Sequence, residues 1–130
     1  MPHRSSVPMH WRIRKGKYSL IGTKCNGCGE NQFPGRSVCP GCSSASLAPV
    51  QFSGSGKIES YTRIHVGPAG FNGPYNVALI RLDEGPMIAA EIVDDEGLEI
   101  GKRVRAVFRK HTEEDESGLI LYGVKFELAE

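Results

Sequence analysis

Apolar and polar residues alternate along most of the C-terminal part of the chain, with the period of two that is typical of half-buried β-strands. Stretches rich in glycine and proline separate the alternating segments and predict turns. The pattern predicts five strands: KIESYTRIHVG (57–67), YNVALIRLD (75–83), MIAAEIVDD (87–95), KRVRAVFRKH (102–111) and LILYGVKFEL (119–128). Five short strands without a long helix favour a small closed barrel, because closure leaves no exposed sheet edge. An OB-like barrel fits this number, and an SH3-like barrel or a small sandwich has the same pattern.

Each predicted strand has one face that we expect to point into the core. These faces hold Ile58, Ser60, Thr62, Ile64 and Val66 in the first strand, Val104, Ala106 and Phe108 in the fourth, and Ile120, Tyr122, Val124 and Phe126 in the fifth. Arg103, Arg105 and Arg109 lie on the opposite face of the fourth strand, where charged side chains reach solvent.

The N-terminal segment predicts one short helix. Residues 1–7 are expected to be a disordered start, and PMHWRIRKGKY (8–18) follows as the helix, with Trp11 as its anchor and Arg12 and Arg14 beside it. Trp and Arg are enriched at the energetic centres of protein interfaces, so these three residues are candidates for docking a partner. The alternative interpretation is that Trp11 packs on the protein's own cysteine-containing ribbon.

All four cysteines lie within CNGCGENQFPGRSVCPGC (25–42), as two C-x2-C pairs separated by ten residues. Two thiolates three positions apart can face one tetrahedral ion, and a second such pair completes its shell. Cys25, Cys28, Cys39 and Cys42 are therefore the predicted metal ligands. Two disulfides or a redox pair explain the duplicated spacing less well. A closed four-thiolate shell favours one structural Zn²⁺ per chain, and iron is the alternative metal.

Composition and targeting signals narrow the class of protein. The chain has 130 residues, 39% hydrophobic and 24% charged, with a net charge of +1. The N-terminus has no apolar signal region, and no stretch approaches the ~20 apolar residues of a membrane span. We expect a cytoplasmic protein without a membrane association. A single-stranded nucleic-acid-binding module is the alternative function, with the stripe Arg103, Arg105, Arg109 and Lys110 as its basic surface, but the small net charge disfavours it.

Four separated motifs resemble the DUF35 family, the OB-fold acyl-CoA-associated zinc-ribbon proteins: CNGCGENQFPGRSVCPGC, SGSGKIESYT, PYNVALIRLDEGP and IGKRVRAVF. The resemblance runs from about Trp11 to Phe126. It implies a mainly β protein with an N-terminal segment (1–18), a rubredoxin-like zinc ribbon (19–50) and a five-stranded OB-fold domain (51–130). It also implies association with thiolase-superfamily enzymes, as in the archaeal subunit that bridges acetoacetyl-CoA thiolase and hydroxymethylglutaryl-CoA synthase of the mevalonate pathway.

These features together predict a non-catalytic scaffold that binds CoA thioesters. His3, His10, His65 and His111 are scattered and form no recognisable catalytic motif, and the alternation predicts His65 at the surface. Phe71, Pro74 and Tyr75 are candidates for an apolar wall along the pantetheine arm of CoA or acyl-CoA, or else simply pack over the barrel mouth. Arg36, Arg63 and Arg81 are candidates for its anionic groups, or else belong to a solvated face.

Overall fold

The computed structural model describes residues 7–68, 71, 73–113 and 118–129. Its N-terminal part holds two helices, α1 (Val7–Arg12) and α2 (Arg14–Ser19), where the sequence predicted one. The two helices are separated at Ile13, which takes φ −94° and ψ 4° in the bridge region between helical and extended backbone. Each helix has six residues, so within the described residues no helix is long enough to cross a bilayer.

The cysteine-containing part of the chain forms a three-stranded antiparallel sheet, here called the ribbon sheet. Its strands are β1 (Ile21–Cys25), β2 (Asn31–Gln32) and β3 (Leu47–Gln51), with β1 in the centre. Thr23 pairs with Gln32 on one side, and Cys25 pairs with Leu47 on the other. The central strand therefore carries the first metal-ligand candidate at its end.

The remaining strands close into a barrel, as the alternation predicted. They are β4 (Ser55–Ile64), β5 (Tyr75–Leu82), β6 (Met87–Ile92), β7 (Arg103–Glu113) and β8 (Ile120–Leu128), in the spatial order β4-β5-β6-β8-β7. All neighbours are antiparallel except β6 and β8, which are parallel. Ile58, Ile80, Leu82, Val104 and Phe126 are at most 1% exposed and form the centre of the barrel. The mainly β fold class is confirmed.

Strand β4 departs from the predicted single apolar face. Ile58 pairs with the buried Ile80, but Ser60 pairs with the exposed Leu79, because a β-bulge inserts one extra residue between them. Residues after the bulge are rotated to the other face, so the prediction that Ser60, Thr62 and Ile64 share the face of Ile58 was wrong. Val66 follows the strand and is 90% exposed. His65 is exposed, as predicted.

The strands of the β7–β8 hairpin are longer than strand β6, which pairs with β8. They have 11 and 9 residues, whereas β6 has 6. Phe108, Ile120 and Tyr122 lie toward the far end of the hairpin and are 41–55% exposed, so the prediction that they are core residues was wrong. Phe108 instead stacks on Tyr122 and makes an edge contact with Tyr18 of α2.

The ribbon sheet and the barrel share one apolar core. Leu20 and Phe52 flank the ribbon strands, are buried, and belong to the same cluster as the barrel residues. Phe33 packs against this cluster and makes an edge contact with Phe52, at a ring-centroid distance of 6.1 Å. Leu20 reaches the core in a left-handed conformation, with φ of 51°. The ribbon is therefore held against the barrel by packing as well as by the chain connection.

Candidate metal centre and adjoining cavity

The four cysteine sulfurs converge on one point, as the spacing predicted. All four Sγ atoms lie within 4.8 Å of one another. The Sγ atoms of Cys25 and Cys42 are 3.5 Å apart, and those of Cys28 and Cys39 are 3.6 Å apart. All four cysteines are free thiols. A tetrahedron with metal–sulfur bonds of about 2.3 Å has edges of about 3.8 Å, which these distances approach. The residues therefore fit a tetrahedral metal ion.

Two matching turns hold the thiols. The amide of Gly29 donates to the carbonyl of Cys25 at 3.0 Å, and the amide of Ser43 donates to the carbonyl of Cys39 at 2.9 Å. Backbone and side-chain donors also approach the sulfurs, since Gly27 N lies 3.4 Å from Cys25 Sγ and Gln32 Nε2 lies 3.5 Å from Cys39 Sγ. Such donors stabilise thiolate charge and orient metal ligands. Sequence analysis missed Gln32, which is buried on β2 between the two turns.

The electrostatics of the thiols also favour a cation. The amide of Cys28 lowers the pKa of Cys25 to about 6, against the opposing effect of burial. The amide of Glu30 lowers the pKa of Cys28, but Cys39, burial and the other two cysteines raise it, and it lies at about 12. One thiolate therefore forms easily, and further negative charge is disfavoured until a metal ion compensates it. With four protein ligands the shell is closed, so such an ion would cross-link the chain and have no open position for substrate.

A cavity of about 430 Å³ lies between α2, the ribbon and the barrel. Leu20, Phe33, Ile88 and Phe126 are among the apolar residues of its wall. This volume is within the range of about 300–1,000 Å³ that small-molecule sites occupy. The cavity is therefore the second candidate site of this molecule, beside the metal centre.

The residues predicted to contact CoA fall into two groups. Phe71 and Tyr75 line the cavity and stack on each other, with ring centroids 5.0 Å apart. Pro74 is exposed in the same loop. The arginines that were predicted to meet anionic groups are instead paired with carboxylates at two positions. Arg63 Nη1 lies 3.7 Å from Asp95 Oδ1, and Arg81 Nε lies 2.9 Å from Glu59 Oε1.

The third arginine, Arg36, is exposed in the ribbon, where its amide donates to Thr23 Oγ1. Among the described residues, the cavity lining includes none of the three predicted arginines. The structure thus brings the two aromatic candidates together at the cavity and leaves the three arginines spread over the surface.

The candidate docking residues lie on the two helices. The Trp11 side chain is 63% exposed, and the Arg14 guanidinium carbon lies 3.9 Å from the centre of its ring. Arg14 also donates to the Trp11 carbonyl, and Arg12 is exposed at the end of α1. A groove of about 170 Å³ separates the helices from residues 119–121 of the β7–β8 hairpin. Trp11 therefore presents an accessible aromatic surface beside a cation.

A cluster of charged residues next to the cavity was not anticipated from the sequence. Lys125 Nζ lies 3.0 Å from Glu91 Oε1, with side chains only 11% and 18% exposed. Burial, followed by the nearby Lys125 and Lys17, lowers the pKa of His111. The signal in the sequence was Gly123 inside a strand, which marks a close approach. A Cβ atom there would lie 2.5 Å from His111 Nε2.

The basic stripe on β7 is largely neutralised by carboxylates. Arg103 donates two hydrogen bonds to Asp83, at 2.7 and 2.8 Å. Arg105 Nε lies 2.6 Å from Glu127 Oε1, and Arg109 Nη2 lies 3.9 Å from Oε2 of the same carboxylate. Hydrogen bonding to Arg103 lowers the pKa of Asp83, so this carboxylate stays charged. A stripe whose cations are already paired is a poor surface for phosphates.

Comparison with known proteins identifies the family. Residues 15–48 match the model described as the ChsH2 rubredoxin-like zinc ribbon domain, and residues 49–109 match the ChsH2 C-terminal OB-fold domain. The chain is 46% identical to a "DUF35 domain-containing scaffold protein" of Pyrococcus furiosus over 124 residues, which cover 92% of this chain and 90% of that protein. This chain belongs to the DUF35 family, and it has a zinc ribbon domain whose four cysteines are positioned to bind a metal ion.

Two further relatives are named for enzymes or enzyme subunits. The benzoylsuccinyl-CoA thiolase subunit BbsA of Thauera aromatica is 36% identical over 73 residues, which cover 56% of this chain and 51% of that protein. A solved structure described as "Ltp2-ChsH2(DUF35) aldolase" matches with a TM-score of 0.70 and 28% identity, covering 92% of this chain and 89% of that chain. The family thus includes scaffold proteins and a subunit of a thiolase.

Proposed function

We propose that this chain is a non-catalytic scaffold that joins acetoacetyl-CoA thiolase to hydroxymethylglutaryl-CoA synthase and helps to pass CoA-thioester intermediates between them in the mevalonate pathway. The observation that carries the proposal is the 46% identity to a DUF35 scaffold protein over nearly the full length of both chains. The thiolase subunit and the aldolase complex among the relatives support a partner of the thiolase type.

The chemistry of the cysteines supports a scaffold over an enzyme. Cysteine is one of the side chains that act as catalytic nucleophiles, and this chain has four. All four converge on one closed metal site, where each would serve as a ligand. In this proposal the partner enzymes supply the nucleophiles, and the metal gives the ribbon a fixed shape for docking.

In this proposal the CoA thioester contacts the aromatic loop beside the cavity and three surface arginines. The stacked rings of Phe71 and Tyr75, with Pro74 in the same loop, provide an apolar wall for the pantetheine arm. Arg36, Arg63 and Arg81 provide cations for phosphate groups. Arg63 and Arg81 would leave Asp95 and Glu59 for this purpose, at small cost because exposed ion pairs contribute about 1 kcal/mol or less.

Docking of the partner is assigned to Trp11, Arg12 and Arg14. An exposed indole with cations beside it has the composition of an interface centre, where Trp and Arg contribute most to binding. The partner surface that fits it is apolar at its centre and acidic at its rim.

The test is affinity capture of the native protein from its own cells, with mass spectrometry of the bound proteins and metal analysis of the same sample. We expect a thiolase, a hydroxymethylglutaryl-CoA synthase and about one zinc per chain. Recovery of nucleic acid or ribosomal proteins without a thiolase-fold enzyme would overturn the proposal.

A matched pair of variants tests the docking residues in the same capture experiment. Trp11→Ala is expected to reduce recovery of the enzymes by at least about tenfold, the loss typical of an interface centre. Tyr61→Ala removes another exposed aromatic ring from strand β4, 44% exposed against 63% for Trp11, and is expected to leave recovery unchanged. Equal recovery with both variants would remove Trp11 from the interface.

A further inference from the structure

Exposed apolar side chains of the two helices and of the β7–β8 hairpin meet on one side of the molecule. Tyr18 of α2 makes an edge contact with Phe108, and Phe108 stacks on Tyr122, with ring centroids 5.5 and 5.6 Å apart. Tyr18 also lines the groove of about 170 Å³, together with Trp11 and Ile120. Tyr18 therefore connects the hairpin aromatics to Trp11, and these five residues are here called the aromatic face.

The aromatic face is large for a surface that stays in water. Its five residues are 41–63% exposed. An aromatic side chain can bury about 150–250 Å², so the four rings alone expose about 400 Å². Apolar patches of this size mark interaction sites. A standard interface buries about 800 Å² on each partner, so the rings supply about half of one partner's share.

The helix side of the aromatic face is bordered by cations. Arg12 and Lys15 are exposed, and the Arg14 guanidinium carbon lies 3.9 Å from the centre of the Trp11 ring. Residues 7–29 contain no acidic residue. A complementary partner surface is therefore apolar opposite the rings and acidic opposite the helices.

Two other occupants match the aromatic face less well. A second copy of this chain would bring the same basic helices into the shared interface, and like charges disfavour such a pair. The adjoining segments of the chain outside the described ranges read MPHRSS (1–6) and EDES (114–117). They are mostly polar, so their composition does not match an apolar face.

We propose that the aromatic face is the docking surface for one of the two thiolase-superfamily enzymes, with α2 and the far end of the β7–β8 hairpin forming its centre beside Trp11. The inference rests on the proposed scaffold function and adds the residues of the hairpin and of α2 to the interface. It also accounts for the apolar alternation of the hairpin strands, which continues through Phe108 and Tyr122 although this chain leaves both half exposed.

The experiment measures the binding of the full chain to purified acetoacetyl-CoA thiolase and to purified hydroxymethylglutaryl-CoA synthase, each alone, by biolayer interferometry. Phe108→Ala and Ile120→Ser change opposite parts of the aromatic face. Each should weaken binding to at least one of the enzymes by about tenfold or more, the loss typical of an interface centre.

Tyr61→Ala and Ile100→Ser are the matched controls and should leave both affinities unchanged. Tyr61 is 44% exposed and pairs with Ala78 of β5, and Ile100 is 70% exposed and precedes β7. Urea denaturation of the same four variants identifies any loss of binding that comes from unfolding.

The possible results separate the inference from the proposed function. If the wild-type chain binds an enzyme and folded Phe108→Ala and Ile120→Ser bind it equally well, the inference is overturned and the scaffold function stands. Self-association of the wild-type chain that Phe108→Ala abolishes, measured by analytical ultracentrifugation, would assign the face to a second copy and also overturn the inference. If the wild-type chain binds neither enzyme, the proposed function fails as well.

Discussion

The ribbon and the barrel are ordered by different physical means. The barrel buries a set of aliphatic and aromatic side chains, with Ile80 and Phe126 fully inaccessible to solvent. The buried residues of the ribbon strands and turns are instead Gly22, two cysteines, Cys25 and Cys39, and the polar Gln32. A short sheet with so little apolar burial needs a metal ion or another cross-link, whereas the barrel has a core of its own.

This difference indicates which part of the protein each kind of change should destabilise. Loss of the metal should affect the ribbon first, and loss of apolar volume should affect the barrel first. Between them lies a seam in which Leu20, Phe33 and Phe52 pack together and Lys17 lies next to His111. Substitutions in the seam should destabilise both the ribbon and the barrel, but by less than loss of the metal or of barrel core volume.

Cys39→Ser should have the largest effect. Three thiolates bind zinc much more weakly than four, so the variant is expected to lose its metal and the order of the ribbon while the barrel strands stay folded. Metal analysis gives the stoichiometry, and amide hydrogen exchange of β1–β3 against β4–β8 locates the loss.

Val38→Ala changes the preceding, exposed residue and should keep both the metal and the exchange pattern of the wild-type chain. In the capture experiment, Cys39→Ser should also lose the partner enzymes. If metal-free Cys39→Ser protein still recovered the partner enzymes in full, docking would not require the metal-bound ribbon.

Phe126→Ala should have the next largest effect, and in the other region. The side chain is 0% exposed at the centre of the barrel, so truncation is expected to lower the free energy of unfolding by about 3–5 kcal/mol. Urea denaturation followed by circular dichroism measures the change. Phe108→Ala removes the same side chain from a position that is 51% exposed and should cost less than half as much. Equal costs would mean that the far end of the hairpin is as well packed as the core.

Alternation and cysteine spacing were sufficient to predict the five strands, the closed barrel and the convergence of the four cysteines. The alternation and the C-x2-C pairs are local patterns, and closure follows because five strands with one apolar face leave no exposed sheet edge. The same reasoning assigned the wrong face to Ser60, because a bulge adds a residue without changing the alternating pattern. It placed Phe108 in the core because alternation shows which side of a strand is apolar but does not show whether another element covers that side.

The cavity was only partly predictable for a related reason. Phe71 and Tyr75 attract notice as aromatics in a loop rich in glycine and proline. Lys17 and His111 come from opposite ends of the chain, and their proximity depends on how α2 lies against β8. The position of Gly123 inside β8 was the one local sign of that contact.

Gly123→Ala should perturb the seam to a moderate extent. The new methyl group would lie 2.5 Å from His111 Nε2, so the imidazole must move, and we expect a loss of about 1–3 kcal/mol in the free energy of unfolding. In a His111→Ala background the same substitution should be neutral or stabilising, since alanine replaces glycine in a strand. A double-mutant cycle from urea denaturation measures the coupling, and additive losses would exclude the proposed contact.

The smallest effect should be a pH dependence that also arises at the seam. Burial, with Lys125 and Lys17, lowers the pKa of His111 from its ordinary value of 6.5, so the unfolded chain binds this proton more readily than the folded chain. The folded state is therefore destabilised as the pH falls through about 6.5 toward the lowered pKa, and this effect is absent above it. His111→Gln removes the titrating group, so its urea midpoint should fall less than that of the wild-type chain between about pH 7 and pH 5.

His65→Gln, which changes an exposed imidazole, is the matched control. Metal content measured at both pH values separates the effect of His111 from loss of the ribbon ion. Parallel curves for His111→Gln and the wild-type chain would mean that α2 does not bury His111 against the barrel in solution.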